Sequence, residues 1–113
     1  MARIDKCPVI LFCRGSSYFY NSLKTLQPAA IGLDWQCDIA AVRREVPCDI
    51  ALQGNLAPDI LLADRETVRR EATRMLEKMR GDKGYICNLG HGILPTTPVD
   101  NVRVLVETVK SFV

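Results

Sequence analysis

Four short apolar runs, each followed by a stretch with helical spacing, constrain this chain more than any other feature of it. The runs are 8–12 (PVILF), 31–35 (IGLDW), 50–53 (IALQ) and 85–89 (YICNL). They are near-continuous rather than alternating, which is the pattern of strands buried on both faces. Strand followed by helix, four times over, calls for a parallel sheet with crossover connections of one hand. The sequence therefore predicts an α/β fold with parallel strands near 8–12, 31–35, 50–54 and 85–89.

The segments between the runs carry their own signals. After the first, Phe19, Leu23 and Leu26 have helical spacing behind Ser16 and Ser17 as caps. After the second, Asp38 is placed to cap a short helix carrying Ile39, Val42 and Val46, which Pro47 stops. In the third, Val68, Ala72, Met75, Leu76 and Met79 form one apolar stripe, with Gly81 and Gly84 beyond its end. Its other positions hold Arg65, Arg69, Arg70, Arg74 and Arg80 among Glu66, Glu71 and Glu77. Mixed signs, with Glu66–Arg70 as an i,i+4 pair, mark a solvated face rather than a nucleic-acid patch. The last helix is expected to open with Thr97 as N-cap, Pro98 at the first helical position and Asp100 as capping-box acid. Its stripe would be Val102, Leu105, Val106 and Val109.

A chain of 113 residues has room for one domain, 1–113, and a core of that size buries roughly 60–70% of the unfolded surface. A net charge of +2 is too small to argue for a nucleic-acid partner or a membrane surface, and no apolar run approaches the ~20 residues of a transmembrane helix. The stretch Met1-Ala2-Arg3-Ile4-Asp5-Lys6 has no apolar signal segment. The five cysteines are odd in number and none are spaced as C-x-x-C or as a zinc-knuckle pair. A reduced, cytoplasmic chain without a bound metal is the expectation.

Parallel α/β folds gather their chemistry at the carboxyl ends of the strands. Those ends read Cys13-Arg14-Gly15-Ser16-Ser17, Asp34-Trp35, Gln53-Gly54-Asn55 and Asn88-Leu89-Gly90-His91-Gly92. Arg14, Asp34, Asn55 and His91 would then converge on one rim. His91 is the sole histidine, and glycines on both sides let the backbone turn sharply and leave the imidazole open to a ligand. Each of these residues also has a plainer role open to it. A lone loop histidine is often just a surface residue, Asp34 can brace the turn that follows it, Gly54-Asn55 is a common turn pair, and Arg14 can pair with a rim acid. The CRGSS loop lacks both the spacing and the lysine of a phosphate-binding P-loop.

These four strand ends, in this order, resemble the uroporphyrinogen decarboxylase family. The match runs through PVILF (8–12), GLDW (32–35), ALQGNL (51–56) and NLGHGILP followed by TP (88–98). The resemblance implies four βα units corresponding to the C-terminal half of a (β/α)8 TIM barrel. It also implies a cofactor-free lyase of porphyrin and heme biosynthesis, which removes carboxyl groups from the four acetate side chains of uroporphyrinogen to give coproporphyrinogen. An acetate on a pyrrole has no ready electron sink. Protonating the pyrrole supplies one, carbon dioxide leaves, and the methylene carbon is reprotonated.

One family site residue carries over, the histidine of the NLGHG motif, here His91, with an implied role in substrate contact or proton transfer. Imidazole changes charge near neutrality and can serve either way. The family's arginine-rich loop, its pyrrole-contacting aspartate, and the tyrosine and hydroxyl residue of its cleft have no counterpart in this sequence. Arg14 stands where the family usually has lysine, Ser16-Ser17 replaces a glycine-richer loop, and Ala57 and Thr96 stand where aspartate is common. A sister family of methyltransferases binds zinc through an H-x-C pair and a further cysteine. Those positions hold Phe12, Arg14 and His91 here, and Cys13 is out of register by one residue, which in a strand puts it on the opposite face.

The expectation is thus a decarboxylase-type chain, inactive alone, whose partners are the tetrapyrrole substrate and either further copies of itself or a complementary N-terminal half. The alternative is a non-catalytic truncated remnant, or half of a split enzyme acting as an assembly partner.

Overall fold

The computed structural model describes residues 7–15 and 18–112, so the proposed caps Ser16 and Ser17 lie outside the described residues. Strand β1 (Ile10–Phe12) leads to α1 (Tyr20–Leu23), which runs into a 3-10 turn at Lys24–Leu26. Then come β2 (Ala30–Gly32), α2 (Ile39–Arg43), β3 (Ala51–Leu56), a 3-10 segment at Pro58–Leu62, α3 (Arg65–Lys78), β4 (Tyr85–Leu89) and α4 (Val99–Ser111). The four strands form one sheet in the order β1-β2-β3-β4, and every pairing is parallel. An open doubly wound sheet reverses its strand order at a switch point, whereas a barrel adds each strand beside the last. Sequential order together with the repeated strand–helix alternation is the arrangement of a segment of a (β/α)8 barrel.

Pleating sorts the residues into two sets. Ile31, Leu52 and Tyr85 are in register across β2, β3 and β4. They pack with Leu33, Ile39, Val42, Val46, Ile50 and Met79 into the main core between sheet and helices. Fully burying a side chain such as Leu52 contributes about 1.5–3 kcal/mol. The next row is Phe12, Gly32, Gln53 and Ile86, on the opposite face of the sheet. Phe12 lies directly over Gly32, where a Cβ would come 3.0 Å from the ring. Ile10, Phe12 and Ile86 remain 50%, 47% and 39% exposed.

Helix α3 follows the expected stripe, with Val68, Ala72, Met75, Leu76 and Met79 all buried. Asp64 caps it by accepting the Thr67 N–H at 3.0 Å, which together with the nearby Arg70 charge holds the carboxyl below its ordinary range. On the solvated face Glu66 pairs with Arg69 at 3.0 Å rather than with Arg70, because the i+3 guanidinium reaches it first. Asp38 caps α2 through the Ala40 N–H, as anticipated. In the first connection Tyr20 and Leu23 pack on the core, while Phe19 and Leu26 stay exposed, because the helix lasts a single turn.

Helix α4 departs furthest from expectation. Pro98 is its N-cap and Thr97 is not, since the Thr97 hydroxyl instead donates to the Leu94 carbonyl at 2.7 Å. Its buried positions are Asn101 and Val104, and Val106 of the expected stripe is exposed. The reason is polar. Asn101 Nδ2 donates to Leu61 O at 2.7 Å in the 3-10 segment and to Ala63 O at 2.8 Å just beyond it, pairing two carbonyls at that segment's end. The helix turns that amide inward beside Val104, while Val102 and Leu105 of the expected stripe still pack against the core.

At the amino ends of the strands one guanidinium holds two loops together, the α2–β3 and α3–β4 connections. Arg43 Nη1 donates to Ile50 O at 2.9 Å and Pro47 O at 3.3 Å, and Nη2 donates to Gly84 O at 3.2 Å. Its Nε lies 2.7 Å from Asp82 Oδ2 as a charge contact without an aligned hydrogen bond.

Candidate active site at the carboxyl ends of the strands

The opposite end of the sheet is hollow. A cleft of about 540 Å³ opens there, lined by Arg14 after β1, Asp34 and Trp35 after β2, Pro58 and Asp59 after β3, and His91 after β4. Every strand thus contributes to one site, as the topology dictates. His91 is exposed and also lines an adjoining cleft of about 440 Å³ that runs over Phe12, Gly32 and Gln53 on the uncovered face of the sheet. Its imidazole therefore stands where the rim meets that face.

Three of the four residues singled out from the sequence share this cleft, and Asn55 does not. Asn55 is buried, and its Nδ2 donates to Asp34 O at 3.0 Å and Cys37 O at 2.7 Å. It braces the turn after β2 from below. Asp34 is itself buried, with Oδ1 accepting the Gln36 N–H at 3.1 Å. This inward turn of Asp34 is why β2 ends at Gly32 rather than at residue 35, although Leu33 still donates its N–H to Gln53 O at 2.8 Å.

The two glycines flanking His91 act differently from the sharp turn expected of them, since neither has a left-handed backbone. Gly92 has open space around it, whereas a Cβ on Gly90 would sit 2.4 Å from Trp35 N and 2.8 Å from Asp34 C. Gly90 is a contact residue. It lets the end of β4 lie against the backbone of the turn after β2, and its own N–H donates to Leu56 O at 2.8 Å.

Pro58, Asp59 and Leu94 were not foreseen in the cleft. The 3-10 segment that carries Pro58 and Asp59 has no periodic apolar signature, and it is held by Asn101, forty residues away in sequence. A proline two residues beyond the strand, Pro58 after Leu56, was the available sign of such a turn.

The other titratable groups with displaced equilibria lie off the cleft. Burial pushes the Tyr85 hydroxyl far above its ordinary range, with Cys87 adding to the effect, and the neutral hydroxyl donates to Gly54 O at 2.6 Å. Burial likewise raises the Cys87 thiol. Both are structural groups.

The family model for uroporphyrinogen decarboxylase (URO-D) matches residues 1–112. The chain belongs to the uroporphyrinogen decarboxylase family. A uroporphyrinogen decarboxylase of Protochlamydia amoebophila is 52% identical over 103 residues, covering 91% of this chain and 28% of that protein. Those of Coxiella burnetii and Pelobacter propionicus are 42% and 40% identical, covering 95% and 91% of this chain and 30% of each relative. The chain therefore spans under a third of the length of the relatives it matches. Among solved structures, a methyltransferase from Methanosarcina mazei superposes with a TM-score of 0.77 at 20% identity, over 95% of this chain and 32% of that one. At that identity the likeness speaks to the fold, a segment of a (β/α)8 barrel.

The cleft is lined by one fixed cation, Arg14, one imidazole, His91, and two carboxylates, Asp34 and Asp59. It can move a proton and meet one or two acidic groups.

Proposed function

We propose that this chain carries the histidine side of a uroporphyrinogen decarboxylase site and that His91 contacts the substrate and takes part in proton transfer. The single observation that carries this reading is the exposed His91 at the end of β4, in a cleft to which every strand contributes. Arg14 meets one substrate carboxylate there. Asp34 and Asn55 shape the rim from within rather than touching substrate. No disulfide joins the five cysteines among the described residues, which suits a reduced, cytoplasmic setting.

The shortage of cations in the cleft favours a second role alongside the first, as an assembly partner whose site is completed by residues this chain does not hold. The test is complementation. The chain alone should give no coproporphyrinogen, and adding a separately expressed polypeptide spanning the rest of a relative should restore turnover. In that mixture His91→Ala should lower the rate about a hundredfold, in keeping with loss of an acid–base group. Cys13→Ala should stay within about twofold of wild type, as expected of a free thiol that does not line the cleft. Product from the chain alone, or an unaffected His91→Ala, overturns the reading.

On its own the chain should also self-associate. β1 and β4 are the outer strands of the sheet, with unpaired backbone groups along one side each, and Ile10, Phe12 and Ile86 are uncovered beside them. Light scattering across a concentration series should show the mass rising. A monomer unchanged at high micromolar concentration refutes this.

A further inference from the structure

Trp35 is the one tryptophan of the chain, and half of its surface is open to solvent in the cleft. Tryptophan is highly buried on average, so an uncovered indole at a site's rim needs a cause. The core makes no use of this ring: neither of the two clusters of packed hydrophobic side chains contains it.

Its backbone is held far more firmly than its side chain. Gly90 packs against Trp35 N so closely that no Cβ fits between them. On one side Asp34 is buried and accepts the Gln36 N–H. Asn55 then fixes both Asp34 O and Cys37 O through a single amide nitrogen. Three buried or close-packed residues, from β3, the end of β4 and the turn itself, thus immobilise a main chain whose side chain stays half exposed in the cleft. That is the design of a stacking surface: large flat area, few rotatable bonds, and little ordering left to lose when a ligand arrives.

The neighbours define what the surface faces. His91 lines the same cleft, and so does Arg14, which takes part in none of the ion pairs among the described residues. A ligand that suits an aromatic face beside one unpaired guanidinium and one imidazole has a flat heteroaromatic ring carrying short acidic arms. We infer that Trp35 is the face-stacking contact for one pyrrole ring of the substrate and that Arg14 anchors a carboxylate on that ring. The inference rests on the decarboxylase reading and adds to it a residue that makes the chain selective for the ring rather than for its charges. In a porphyrinogen the four pyrroles are separate flat rings joined by tetrahedral carbons, so the indole covers one ring and leaves its substituents free to reach Arg14 and His91.

The test is a titration of the purified chain with uroporphyrin, a stable oxidised stand-in with the same eight acidic arms, followed by the shift of its main absorption band. Circular dichroism establishes that each variant is folded. Trp35→Leu should weaken binding about tenfold, the scale of losing one stacked aromatic contact, while Trp35→Phe, which keeps a flat ring, should stay within about threefold. Arg14→Gln should weaken binding at low salt and match wild type at high salt, because a single exposed charge contact is screened. The Trp35→Leu defect should persist at both. If Trp35→Leu binds like wild type while His91→Ala is impaired, the stacking role is wrong and the decarboxylase reading survives. If wild type fails to bind uroporphyrin at all, the stacking role falls, while the decarboxylase reading is still decided by the complementation test.

Discussion

Replacing Gly90 by alanine should lower the unfolding free energy by about 3 kcal/mol and abolish uroporphyrin binding, from the addition of one methyl group. The three atoms that a Cβ would meet, Trp35 N at 2.4 Å, Asp34 C at 2.8 Å and Trp35 Cα at 2.9 Å, all belong to main chain. No rotamer change relieves such contacts, so β4 must part from the turn after β2. Overpacking of this kind typically costs 1–3 kcal/mol, about the upper end where backbone meets backbone. Separation would also break the Gly90 N–H bond to Leu56 O and carry His91 away from Trp35 and Arg14. Gly92→Ala is the matched control, two residues along with nothing within 4 Å of its Cβ position, and should shift stability by less than about 0.5 kcal/mol. Urea denaturation of both variants decides the matter. Equal midpoints for the two would show that the strand end yields freely and that Gly90 is not a contact residue.

The second large effect belongs to the other end of the sheet. Arg43→Met should destabilise the chain by about 3 kcal/mol, a sizeable share of the 5–15 kcal/mol that typically separates folded from unfolded domains. The methylene stem is kept, so the loss isolates the guanidinium. Removing it strips partners from the carbonyls of Pro47, Ile50 and Gly84 and leaves the Asp82 carboxylate without its counter-charge at a site that is only 20% exposed. Arg43→Lys should recover less than half, because one ammonium cannot span three carbonyls that a planar fork reaches together. Cleft-directed uroporphyrin binding, measured on folded protein at low temperature, should be nearly unchanged, since Arg43 lies at the amino ends of the strands. A loss below about 1 kcal/mol for the methionine variant would mean that water replaces the guanidinium without penalty.

Legibility in the sequence followed the physics of each element. The near-continuous apolar runs located the strands, and all four proved parallel and sequential, although burial on both faces did not hold for the outer two, where Ile10, Phe12 and Ile86 are exposed. Helix α3 was readable because burial of a whole face at 3.6 residues per turn leaves one stripe, from Val68 to Met79. Helix α4 was legible in part: Val102 and Leu105 of the expected stripe pack on the core, whereas the inward Asn101 carries no hydrophobic signal and so went unseen. The cleft was half legible. Arg14, Asp34 and His91 stand at strand ends, where topology alone brings them together. Asp59 reaches the same cleft only through a 3-10 segment pinned from α4, and nothing near it in sequence reports that contact. Asn55 shows the converse: strand-end position placed it on the rim, while its amide was recruited to satisfy carbonyls beneath it.

The strand order has a consequence for how the chain reaches this state. Ile10 pairs with Ala30, Ala30 with Ala51, and Leu52 with Tyr85, so each strand finds its partner one unit back along the chain. Spans of 20, 21 and 33 residues between these partners limit each loop-closure penalty. Assembly can proceed in the direction of synthesis, each newly exposed βα unit docking on a neighbour already in place, without waiting for a distant segment to emerge.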